Sequence, residues 1–83
     1  MYLRFFCILT YNRLTLVAKI IINFHVGSAT VFITDTDENI VHYSVVDTSQ
    51  QQEVVIPLDS FADGDYILSI EYETTILTGD FSL

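Results

Sequence analysis

From Ala29 to the end of the chain the apolar residues recur at every second position, and polar clusters cut the runs they form at intervals of about ten residues. A period of two places successive side chains on opposite faces of an extended backbone, so each run has one apolar face to bury. An amphipathic helix would need a period of 3.6. This pattern predicts an all-β fold. In "ATVFITD" Val31 and Ile33 alternate against Thr30, Phe32 and Thr34, and "IVHYSVV" returns after the turn "TDEN". "EVVIPL" sets Val54, Ile56 and Leu58 on one face, with Pro57, which lacks an N–H, at a strand end or edge. "DYILSIEY" directs Tyr66, Leu68 and Ile70 inward, and "TTILTGDFSL" does the same for Leu77, Phe81 and Leu83. Upstream, "YLRFFCIL" reads as a first strand and "RLTLVAKIIINF" as one long or bent second strand, making seven.

Strands with a single apolar face must stack against a second sheet, so the expected architecture is an antiparallel two-sheet, immunoglobulin-like sandwich. The predicted core is Val31, Ile33, Val54, Ile56, Tyr66, Leu68, Ile70 and Phe81. With 83 residues, 51% of them hydrophobic, the chain has material for one small core. No repeat or linker divides it, and residues 1–83 are expected to form a single domain, of which 1–20 are the least well defined. The N-terminal "FFCILTY" superficially resembles a secretory signal. Asn12 and Arg13 interrupt it and no small-x-small cleavage site follows, so it reads as part of the fold.

Charge excludes several functions. All three basic residues (Arg4, Arg13, Lys19) precede position 20, all eleven acidic ones follow from Asp35, and the net charge is −8. Such a polyanion repels nucleic-acid backbones and anionic lipid surfaces. The longest uncharged run, residues 20–34, contains Asn23, His25, Gly27 and Ser28, which excludes a membrane-inserted helix. The lone Cys7 permits no internal disulfide and reads as a buried, inert thiol.

The most patterned polar stretch, "PLDSFADGDY", admits two readings. A calcium loop of the EF-hand type needs oxygen ligands at alternate positions, glycine sixth and glutamate twelfth. Counting from Asp59, Phe61 falls third and Ile70 twelfth. Counting from Asp35, Ile40 takes the glycine position and Val46 the glutamate position. Both fail, and no metal or other cofactor is expected; an irregular carboxylate site between loops is the alternative. The second reading is a structural corner. Leu58 and Phe61 bury while the chain crosses between sheets, Gly64 permits a positive φ, and Tyr66 stands at a strand start with its hydroxyl bonded to upstream backbone.

Catalysis lacks its ingredients. His25 and His42 are isolated, Ser28 and Ser60 lie in turns without a nucleophile frame, and the aspartates imply no cleft, so no enzyme is expected. Carbohydrate platforms favour exposed aromatics, but tryptophan is absent, and Tyr43 and Tyr72 alternate in registers that allow burial equally well. A binding or structural module remains, acting on a protein partner or a second copy through a sheet edge or the apolar N-terminal strand. The segment "LVAKIIINF" has only Lys19 to guard it, so if it lies at an edge, Ile20, Ile21, Ile22 and Phe24 are the candidate interaction residues.

The stretch from "SATVFITDTDENIVHYSVV" through "VVIPLDSFADGDYILSI" to "GDFSL" resembles a family of small immunoglobulin-like domains of unknown function from secreted or surface-associated proteins of Gram-negative anaerobic gut bacteria. The shared elements are Thr34-Asp35, the polar turn Asp37 to Asn39, the return strand Val41 to Val46, the corner Leu58/Phe61/Gly64/Tyr66, and Gly79-Asp80-Phe81. The resemblance runs from about Asn23 to the end, and it implies a secreted, periplasmic or cell-surface location with no catalytic residues. The C-terminal sorting domain of type IX secretion shares the hairpin and the Gly-x-Tyr corner. It is the second choice, because those tails usually end in a basic segment and this one ends "TGDFSL".

Overall fold

The computed structural model describes residues 5–23 and 27–83. Seven strands follow one another: β1 (Phe5–Asn12), β2 (Thr15–Ile22), β3 (Ser28–Thr34), β4 (Ile40–Asp47), β5 (Glu53–Pro57), β6 (Asp65–Tyr72) and β7 (Thr75–Ser82). They form two antiparallel sheets of order β1-β2-β5 and β4-β3-β6-β7, with no helix among the described residues. An immunoglobulin constant domain keeps its fourth strand in the sheet of strands one, two and five. Here the short turn after Thr34 sends β4 back along β3, so the fourth strand joins the opposite sheet.

One core lies between the sheets. Ala18, Ile20 and Ile22 of β2 and Val54 and Ile56 of β5 form a single cluster with Val31, Ile33, Leu68 and Ile70 of β3 and β6. Each fully buried Ile or Leu contributes about 1.5–3 kcal/mol. Of the predicted core only Phe81 stays partly buried, packed against the cluster. The cause is geometric: three strands cannot cover four, so the inner faces of the outermost strands β4 and β7 are half-covered.

Two points differ from the sequence reading. The chain reverses at Arg13 and Leu14, so β1 extends to Asn12 and pairs with β2 in a tight hairpin, Asn12 opposite Thr15. Moreover, β2 is no edge. It is hydrogen-bonded on one side to β1 and on the other to β5, with Ile20 between Cys7 and Val54. Because Ile20 and Ile22 point into the core, the strand is as apolar as a central strand must be.

The hairpin tips carry strain. Arg13 has φ 63° and Glu73 φ 51°, each the first residue of a two-residue connection and neither a glycine. The longer β3–β4 turn is organised by Asp35, whose Oδ1 accepts the backbone N–H groups of Asp37 and Asn39, both at 2.9 Å. Glu38 takes the positive φ there (65°) in place of glycine.

Candidate functional site

The β5–β6 crossover brings Leu58, Phe61, Gly64 and Tyr66 together. Leu58 is buried and its N–H donates to Leu16 O at 2.9 Å, anchoring the end of β5 to β2. The Phe61 N–H donates to Leu58 O at 3.0 Å, which turns the chain. Gly64 has φ 152°, a conformation L residues rarely adopt, and exchanges two backbone bonds with Leu83: its N–H donates at 3.0 Å and its carbonyl accepts at 2.8 Å. The buried Tyr66 donates its hydroxyl to Ala62 O at 2.5 Å. Its ring lies 5.3 Å from that of Phe61, tilted, and 5.5 Å from that of Phe81, stacked. The parts of this corner that the sequence reading did not name are Ala62, the acceptor, and Leu83, the backbone partner of Gly64. A carbonyl acceptor leaves no mark in a side-chain pattern.

Each titratable group with a shifted pKa owes it to a local cause. The Asp35 carboxyl is held below its usual pKa chiefly by the Asn39 backbone N–H, and Asp47 chiefly by the Ser49 hydroxyl at 2.6 Å. His42, half-buried, places Nε2 3.3 Å from Ser44 Oγ, and burial lowers its pKa. Burial likewise raises the pKa of the Cys7 thiol, which packs against the core. His25 lies outside the described residues, and so does Phe24. Among the described residues no three His, Cys, Asp or Glu side chains are grouped so as to hold a metal ion, and no helix is long and apolar enough to cross a membrane. Of the two tyrosines considered as platforms, Tyr72 is buried in the core and Tyr43 is 62% exposed.

The sheet edges are unequal. β5 is guarded by Glu53, which pairs with Lys19 at 3.3 Å, and by Pro57; β4 has Asp47 and a register irregularity opposite Ile33 and Thr34; β7 has Asp80. β1 has no charge and no proline over its eight residues, and among the described residues its only neighbour is β2. Ile8 and Leu9 are exposed on it, and Tyr11 is 69% exposed. Edge strands are ordinarily protected by charge, proline or cover; this one has neither charge nor proline, and no strand among the described residues covers its outer side. The strand of Ile20, Ile21 and Ile22, a candidate for interaction if it lay at an edge, is thus central, and the exposed strand is β1, which pairs with it.

No curated protein matches the chain. A family model described as a domain of unknown function (DUF3244) matches residues 15–83, which takes in β2 through β7 and the whole corner and begins just after the β1–β2 turn. The chain belongs to that family.

Proposed function

We propose that this protein is a non-catalytic, immunoglobulin-like module of a secreted, periplasmic or cell-surface protein, and that it acts through protein contacts by taking a further strand at β1. The observation that carries this reading is the edge of β1, open among the described residues, eight residues long and free of charge and proline. Addition of a strand would satisfy its outward backbone groups and cover Ile8, Leu9 and Tyr11. A second copy suits the edge, because two copies of an uncharged strand meet without the repulsion that other surfaces of a −8 chain would impose. A catalytic reading draws no support from the side chains: His42 and Ser44 are an isolated pair, and Ser60 is exposed at the crossover.

The test is light scattering over about a hundredfold concentration range, together with a pull-down from the native source, for the wild type and for Ile8→Lys. The apparent mass should rise with concentration in the wild type and stay at one chain in the variant, since lysine on an edge strand opposes pairing. A wild type that remains monomeric throughout, and captures no protein whose retention depends on Ile8, overturns the reading.

A further inference from the structure

The outer face of the four-stranded sheet is as unusual as the β1 edge and lies on the other layer. Antiparallel pairing sets Phe32 between Tyr43 and Ser69, Thr30 between Val45 and Glu71, and Thr34 opposite Ile67. These side chains alternate with Val31, Ile33, Leu68 and Ile70 of the core, so they face away from it. Solvent-facing strand positions are commonly Thr, Lys or Glu. Instead β4 presents Val41, Tyr43 (62% exposed) and Val45 (60%), continued by the half-buried Phe32 and the exposed Ile67. With strands spaced about 4.8 Å apart, cross-strand and diagonal neighbours of this strip lie within reach of one another's side chains.

Its rim is acidic and lacks an internal counter-charge. Every acidic residue except Glu53, Asp59 and Asp63 lies in the β3–β4 or β6–β7 hairpins, and no Lys or Arg occurs beyond Lys19. At one end of the strip a shallow cleft is lined by Asp35, Asp65 and Asp80 beside Ile67. Two of these carboxylates are already oriented, Asp35 by the turn amides and Asp65 by the Ser82 hydroxyl at 2.5 Å. A second copy placed here would oppose acid to acid, and nucleic acid or an anionic membrane would be repelled. From this charge pattern we infer that the face docks a protein segment in which lysine or arginine flanks apolar residues, the apolar groups covering Tyr43, Val45 and Phe32 and a cation entering the Asp35/Asp65/Asp80 cleft. The inference extends the protein-contact reading to a second surface and does not depend on β1.

The probe is a fluorescein-labelled octapeptide of alternating Lys and Val, with Glu–Val and Lys–Ser octapeptides as controls. Binding is measured by anisotropy and mapped from the amide shifts of 15N-labelled protein. The Lys–Val peptide should bind the wild type and Ile8→Lys alike and move amides of β3, β4 and the start of β6. Its Kd should rise about tenfold or more in Tyr43→Ser, and similarly between about 50 mM and about 500 mM salt. Asp80→Asn should weaken it as well. Equal binding of Lys–Ser would show ion pairing alone, and equal binding of Glu–Val apolar contact alone; either overturns the inference. So do indifference to Tyr43→Ser, shifts confined to β1, or the absence of binding. Loss of binding in Ile8→Lys with Tyr43→Ser unaffected would return the contact to the β1 edge and leave only the first reading standing.

Discussion

Tyr66→Phe removes one hydroxyl and nothing else, which makes it the sharpest probe of the corner. The lost bond is a single donation to Ala62 O, worth about 1 kcal/mol net. Ala62 is exposed, so water can replace the donor and the cost should stay near that figure. The ring, with its neighbours Phe61 and Phe81, remains. For a domain of this size a urea slope of about 1 kcal/mol per M converts the loss to a midpoint shift of about 1 M, and the melting temperature should fall by about 4–8 °C. Tyr66→Leu forfeits the two ring contacts as well, each worth about 0.5–1.5 kcal/mol beyond burial. At Gly64 an added Cβ would meet nothing within 4 Å, so Gly64→Ala isolates the backbone term, about 1–3 kcal/mol, and Gly64→Val should exceed Tyr66→Phe. Urea melts in which Tyr66→Phe and Gly64→Val both stay within about 0.5 kcal/mol of wild type, as surface substitutions do, would refute the reasoning.

Glu73→Gly should stabilise the chain by about 0.5–1 kcal/mol in the same melts, because glycine relieves the positive φ at the β6–β7 tip by more than it adds unfolded-state entropy; a loss of stability would show that the Glu73 side chain contributes something else. The Asp35 pKa is lowered in the folded state, so its stabilising effect is complete above the unfolded value, 3.8 for an ordinary aspartate, and is lost as pH falls through the folded one. Asp35→Asn, which cannot titrate there, should therefore narrow the difference in melting temperature between about pH 6 and about pH 2 relative to wild type; an unchanged difference would contradict it. Calcium at about millimolar concentration should leave the melting temperature unaltered, and a stabilisation above about 1 kcal/mol would establish a site among the acidic turns.

What the sequence disclosed is what short-range chemistry controls. Alternation identified Val31, Ile33, Leu68 and Ile70 as inward, because a period-two strand has only two faces to choose between. Asp35, Asp37 and Asn39 marked their turn because they bond locally. The Arg13–Leu14 reversal left no such mark: neither residue favours a positive φ, Leu14 is 96% exposed, and the hairpin tolerates the strain because eight paired positions on each side compensate for it. Sheet order was equally hidden, since the centrality of β2 depends on Ile20 meeting Val54 far along the chain. The binding surfaces follow from the same limit. Tyr43 and Tyr72 alternate alike on paper, and only the assembled sheets decide that one is solvent-facing and the other core.

The strand order also bears on how fast the molecule can form. The β1–β2, β3–β4 and β6–β7 pairings join neighbours in the chain and can close on the microsecond timescale of isolated hairpins. The β2–β5 and β3–β6 ladders instead join residues roughly 30–40 positions apart, and these carry the larger loop-closure entropy. Refolding should therefore be limited by the meeting of preformed hairpins, placing the chain among the slower, millisecond-to-second β-rich domains. Amides of β2, β3 and β6, held on both sides, should be the last to exchange with solvent, whereas β1 can detach through its own hairpin while the other six strands stay folded.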